Sequence, residues 1–189
     1  MASATITADG GEIILRDAKP AFEWVCGHAV RKMSPKRRHA ILQLTIGAML
    51  VRWSAGRGIV GSEWRCRLAP WGEIRRPLVP DVSFVSNERF AMLETEDDRD
   101  APPFAPDIVV EVLSRGERRE YLEHKRDIYL ACGTQLMLAV DPLQRTIECF
   151  EPGGRHVLLR GDEAVTSARF PDLAIPLAGL FAELDASGG

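Results

Sequence analysis

Apolar and polar positions follow several distinct rhythms along the chain, and each rhythm predicts a different element. Over about 35–53 the apolar residues Ile41, Leu44, Ala48, Met49 and Val51 recur at helical spacing, and Gly56 and Gly58 end the run, so a helix is predicted there. IVGSEWRCRLAP and LVPDVSFVS then read as strands separated by the arginine-bearing turn WGEIRRP. The stretch PDIVVEVLS, residues 106–114, is a β-branched run of the kind buried on both faces of a sheet. A helix over about 117–132, closed by Gly133, and the apolar strand QLMLAV, ending at Asp141-Pro142, follow it. TIECFEPGGRHVLLR predicts a hairpin that turns at Pro152-Gly153-Gly154. Upstream, PAFEWVCGHAVRKMSP reads as a short helix or turn followed by a strand, broken at Gly27, with Ser34-Pro35 opening the next element. The acidic, proline-bounded NERFAMLETEDDRDAPPFA reads as a loop with a helical turn, and the final ASGG is expected to be disordered.

One position breaks the apolar pattern. Glu111 sits inside the β-branched run, where an ionised carboxylate without a partner costs several kcal/mol or takes up a proton. The strand, helix, strand order around it predicts a crossover and a parallel strand pair, with the helix packed on one face of the sheet. At about 100° per residue, Tyr121, Leu122, Ile128, Tyr129 and Cys132 cluster on one side of that helix, and Lys125 falls within the stripe. An inward lysine needs an anion as much as Glu111 needs a cation.

A second carboxylate, Asp81, opens the neighbouring strand. Alternation places Asp81, Ser83 and Val85 on one face, and Asp107, Val109, Glu111 and Leu113 on one face of the next strand. Should register join those faces, Asp81, Glu111 and Lys125 form a trio suited to Mg2+-assisted phosphodiester hydrolysis, with carboxylates for a hard cation and an ammonium for the attacking water. Simpler readings exist for each: a structural Glu111–Lys125 ion pair, and an Asp81 that caps the turn after Pro80. His39 and Gln43, one turn apart on the first long helix, are candidate secondary contacts, as is Glu23. Asp141 is expected to end a strand and start a turn.

Composition narrows the classes. The 189 residues carry 24 basic and 27 acidic side chains, a net charge of −3, which excludes a global polycation and makes any basic surface local. RKMSPKRRH, with Arg65, Arg67, Arg75 and Arg76, is the candidate for such a surface. Cysteines at 26, 66, 132 and 149 have no C-x-x-C or histidine spacing, so reduced, packed thiols are expected rather than a zinc site or a disulfide framework. The opening MASATITADGGEI lacks a leader pattern, and AILQLTIGAMLV is too short and polar to span a bilayer, so a cytoplasmic location without membrane attachment is expected. The length predicts a single domain over residues 1–189, its core at about 20–151 and a C-terminal hairpin and tail over 146–189.

Taken in order, Asp81 in VPDV, Glu111 in PDIVVEVLS, Lys125 in KRDIY and the following CGTQLMLAVDP resemble the Uma-two family of PD-(D/E)XK restriction-endonuclease-like proteins. FEWVCGHAVRKMSPKRRH resembles that family's entry segment, and the similarity covers roughly residues 20–151. The resemblance implies an α/β (α+β) fold, a mixed central sheet flanked by helices with added β-hairpins. It also implies a metal-dependent endonuclease acting on DNA, with Asp81 and Glu111 binding Mg2+ or Mn2+ and Lys125 assisting the nucleophilic water. Where the superfamily places its lysine two residues after the glutamate, this chain has Leu113, so Lys125 must reach the site from the helix. Gln135, Leu136 and Met137 stand where the family often carries an aromatic pair. A homodimer is expected from the resemblance and from the apolar hairpin residues Ile147, Phe150, Val157 and Leu159. The alternative from another class is a non-catalytic interaction or scaffold protein derived from the same fold.

Overall fold

The structure, a computed structural model, describes residues 4–6 and 11–186. A ribbon of β1 (Ala4–Ile6) and β2 (Ile13–Leu15) is followed by a hairpin of β3 (Phe22–Val25) and β4 (His28–Arg31). Helix α1 (Arg37–Trp53) leads to β5 (Gly58–Ser62), a ribbon of β6 (Cys66–Leu68) and β7 (Arg76–Leu78), and β8 (Val82–Ser86). Short helices α2 (Asn87–Phe90) and α3 (Glu96–Asp100) precede β9 (Ile108–Val112), α4 (Arg119–Ala131), β10 (Leu136–Asp141), β11 (Thr146–Glu151) and β12 (Arg155–Arg160). Hairpin β13 (Ala164–Ser167) and β14 (Phe170–Pro176) and helix α5 (Leu177–Ala186) complete the described chain.

The centre is a six-stranded mixed sheet in the order β12, β11, β10, β9, β8, β5. Strands β9 and β10 run parallel across the α4 crossover, as the strand, helix, strand order requires, and the other pairings are antiparallel. Period-two alternation then gives the sheet two different faces. Val82, Phe84, Ile108, Val110, Val112, Leu136, Leu138 and Val140 pack with Leu42, Ile46 and Leu50 of α1 and Leu177, Leu180, Phe181 and Leu184 of α5. On the other face Val109, Met137, Ala139 and Phe150 pack with Leu122, Ile128 and Tyr129 of α4, with Val25 of β3, and with Cys66, Leu68 and Leu78 of the β6–β7 ribbon. Gly58 is required at the sheet edge, because a Cβ there would lie 2.2 Å from the carbonyl oxygen of Val85.

Several expectations are corrected by this architecture. FEWVCGHAVR is a hairpin, so a strand stands where a short helix or turn is expected before the second strand, and its turn at Cys26-Gly27 has φ of 49° and 79°, the two positive values of a tight hairpin turn. Helix α1 buries His39, Leu42, Ile46 and Leu50, whereas Leu44 and Val51, two of the apolar positions that mark its helical spacing, are 75% and 57% exposed. The helix carries two apolar stripes, and contact with Val82 and Phe84 selects the one that turns inward. Each of the two long strand readings splits in two: β5 pairs with β8, and β6 with β7. The acidic segment forms two short helices. Ile147 and Phe150 are core residues, so they offer no dimer surface. Asp141 does close a strand, its Oδ1 accepting from the backbone N–H of Leu143 and Gln144.

The disorder expected for ASGG falls largely on 187–189, outside the described residues, as do 1–3 and 7–10 of the segment read as lacking a leader. Among the described residues no helix is long and apolar enough to cross a membrane. All four cysteines are free thiols.

Candidate functional site

Register decides the site. Ser83 pairs with Val109, and the Asp81 N–H donates to the Val110 carbonyl at 3.0 Å, so Asp81 and Glu111 sit side by side and line one cavity. Ala139 lies across the parallel pair from Glu111, a small residue that leaves room for what α4 brings in. Lys125 enters there, only 3% exposed, with Nζ 2.6 Å from Glu111 Oε1. The Tyr129 hydroxyl, one turn further along α4, donates to the same Oε1 at 2.9 Å.

The β3–β4 hairpin supplies the rest of the cluster. Glu23 accepts from Lys125 at 3.1 Å and from the Val79 N–H at 2.8 Å. Lys32, just past β4, places Nζ 2.6 Å from Asp81 Oδ1 and 2.7 Å from the Val79 carbonyl oxygen. Asp81 Oδ2 accepts from the Val112 N–H at 2.7 Å and lies 3.2 Å from His39 Nε2. Gln43 donates to the Asp81 backbone carbonyl at 3.0 Å, holding the loop rather than a reacting group. The structure thus brings together all six residues singled out in the sequence. It adds Lys32 and Tyr129, which sequence reasoning missed: Lys32 lies in a basic run, and Tyr129 reads as one more apolar position of its helix.

Glu23, Lys32, His39, Asp81, Glu111 and Lys125 line a cavity of about 190 Å³. A groove of about 880 Å³ runs past Trp64 and β5, but its arginines are already paired, Arg65 with Asp17 and Arg99 with Glu96. The smaller cavity holds the unusual electrostatics. Burial alone would raise the Asp81 carboxyl, yet the Lys32 ammonium and the His39 hydrogen bond outweigh it and hold Asp81 well below the usual range. Glu111 goes the other way, pushed up to about 8 by burial that Lys125 and Lys32 only partly offset. Burial also works against the Lys125 ammonium, but Glu111 and Glu23 prevail and keep it charged. Three carboxylates face two ammoniums, which leaves one negative charge in excess, His39 aside. Glu111 is where a proton or an added cation would settle that excess.

The cavity mouth is basic. Exposed Arg31, Arg37, Arg38, Arg115 and Arg118 stand around it and the adjoining depression beside Ser114. Part of the basic surface expected from sequence is neutralised instead. Arg67 pairs with Asp98 and Glu12, and Arg76 with Glu73.

The mixed sheet, its α4 crossover and its flanking hairpins are those of the restriction-endonuclease-like class. The family model described as "Uma2: Putative restriction endonuclease" matches residues 12–178, and the chain belongs to that family. A solved structure similar to it is described as that of "a putative nuclease belonging to DUF820 from Anabaena variabilis ATCC 29413". It has a TM-score of 0.79 and 22% identity, over 90% of this chain and 94% of that one, a likeness that establishes the fold. Comparison with curated proteins gives no match.

Among the described residues no three His, Cys, Asp or Glu side chains converge at metal-ligand spacing. Two carboxylates suffice for Mg2+, which keeps several waters and completes its shell with substrate phosphate. Hard oxygen donors and a residual negative charge fit such a cation, although ammonium groups hold Asp81 Oδ1 and Glu111 Oε1 in this arrangement.

Proposed function

We propose that this chain, acting as one domain, is a divalent-cation-dependent endonuclease that hydrolyses DNA phosphodiester bonds. The carrying observation is a buried pair of carboxylates, Asp81 met by Lys32 and Glu111 by Lys125, in a cavity whose mouth carries arginines, in a chain whose net charge is −3. Five exposed arginines stand where a phosphate backbone must approach the acids, so the basic charge that such a substrate needs is present locally although the chain as a whole is acidic. Asp81 and Glu111 would hold Mg2+ or Mn2+, which supplies Lewis acidity at the scissile phosphate. Lys125, kept charged by Glu111 and Glu23, places an ammonium where negative charge develops. Tyr129 fixes the Glu111 rotamer, and Glu23 spans Lys125 and the Val79 backbone, orienting the lysine.

Supercoiled-plasmid nicking in Mn2+ tests the reading. The parent protein should nick, chelator should abolish nicking, and Glu111→Gln should be inactive yet folded. One observation favours a second reading, a non-catalytic scaffold: both carboxylates already have ammonium partners. A parent protein with no cation-dependent nicking and no melting shift in millimolar Mn2+ would establish that second reading. The expected homodimer is likewise a proposal, supported by edge strand β12, where Val157 and Leu158 are 37% and 42% exposed. A monomer in sedimentation at micromolar concentration would end it.

A further inference from the structure

Lys32 has the surroundings of a bound metal ion rather than those of a surface lysine. Its Nζ sits on two oxygens, Asp81 Oδ1 at 2.6 Å and the Val79 carbonyl at 2.7 Å, and its side chain is 11% exposed. Carboxylate and carbonyl oxygens are the donors a hard divalent cation selects, so the ammonium occupies a seat built for a cation. The remaining contacts of Asp81 fall on its other oxygen, which leaves Oδ1 as the oxygen open to a cation. Oδ2 is taken by the Val112 N–H, which is fixed in β9, and by His39 Nε2 on α1. Of the groups on Asp81, Lys32 is the one on a flexible four-carbon stem at the wall of the cavity, and so the one able to leave.

We propose that Lys32 is an internal counter-ion occupying the Asp81–Val79 seat, and that a divalent cation binds there by displacing it, with the Val79 carbonyl as an added ligand. The inference rests on the cation-dependent reading above. Displacement exchanges one positive charge for two, which also cancels the excess negative charge of the cluster. The released ammonium would leave the cluster for the cavity mouth, which Arg31 and Arg118 line, where an incoming phosphodiester would offset the positive charge gathered there. Cation binding and the Lys32 position are therefore linked, and a coupling of this kind is worth roughly ten- to a hundredfold in affinity.

Calorimetric titration with Mn2+ alone, on the parent and Lys32→Gln, tests this. The amide can still donate to Asp81 but carries no charge, so the variant should bind Mn2+ about tenfold tighter or more. Equal or weaker binding in Lys32→Gln, with clear binding in the parent, would overturn the displacement while leaving the cation reading intact. Absence of binding in both proteins would overturn both. A measurement without mutation guards against poor folding of the variant. Amine acylation read by mass spectrometry should show Lys32 of the parent becoming more reactive as Mn2+ is added, while Lys125 stays protected. Lys32 labelling that stays constant through saturation with Mn2+ would likewise refute displacement.

Discussion

The two faces of the central sheet are made by the same strands and obey opposite rules. On the α1–α5 face, β9 contributes Ile108, Val110 and Val112, each 2% exposed or less, to an all-apolar core. On the α4 face it contributes Val109 and Glu111, equally buried, and Glu111 is met by Lys125 and Tyr129. Apolar burial is non-directional and tolerates many arrangements of similar volume. A buried charge cluster is not tolerant, because each carboxylate must find its ammonium within hydrogen-bond distance. One face stores stability, and the other spends part of it holding charges out of water.

That contrast can be broken most sharply at Lys125. Lys125→Met keeps the volume, and its expected effect is a loss of Mn2+-dependent nicking of about 10²–10³-fold, the range for removing one electrostatic catalytic group. A mutant nicking at the parental rate would exclude Lys125 from the chemistry. A mutant that only loses stability, from a parent that never nicked, would mark the α4 face as structural.

On the opposite face, Ile108→Ala should cost about 2–5 kcal/mol in denaturant unfolding, the usual penalty for a fully buried truncation, and leave Mn2+ affinity of the folded protein unchanged. A change in that affinity would show the two faces to be coupled through β9.

A smaller effect is expected in the pH dependence. Glu111 has its folded-state pKa raised from 4.5 to about 8, so between those values the folded state holds more protons than the unfolded state, and stability falls as pH rises through the window. Glu111→Gln removes the group, and its unfolding free energy should decline less from pH 5 to pH 8 than that of the parent. Asp81 is displaced downward, so its contribution is present above its ordinary pKa and disappears as pH falls. Asp81→Asn should therefore flatten the acid limb instead. Identical pH profiles for parent and both variants would show that the cluster carries no net titration.

The smallest change is expected at the rim. Arg115→Ala should weaken DNA binding about equally across sequences and reduce the slope of log affinity against log salt by about one, if its guanidinium contacts a phosphate. An unchanged slope would remove Arg115 from the DNA path.

Much of this organisation is legible in the sequence, and the reasons differ by element. The β9–α4–β10 unit can be read because a β-branched run, a 3.6-residue stripe and a glycine stop are local signals, and the crossover rule then sets the strands parallel. Glu111 and Lys125 are legible as misfits within apolar patterns, and Asp81 through its strand's alternation. The inward face of α1 was not, since Leu44 and Val51 compete with Leu42, Ile46 and Leu50 at similar spacing. The β3–β4 hairpin was obscured because Cys26, not a second glycine or asparagine, takes the first positive φ of its turn.

By itself, then, the sequence determined which residues could not face water comfortably and which could not be buried alone, because periodicity and side-chain chemistry are properties of neighbouring positions. Only the tertiary structure decided who satisfies whom. Lys32 meets Asp81 across 49 positions and Glu23 meets Lys125 across 102; nothing local distinguishes Lys32 within its basic run, and nothing local assigns Glu23 its partner. Electrostatic partnership depends on distance in space and on the low dielectric of a shared cavity, and both exist only once the sheet and its two covering layers have closed around them.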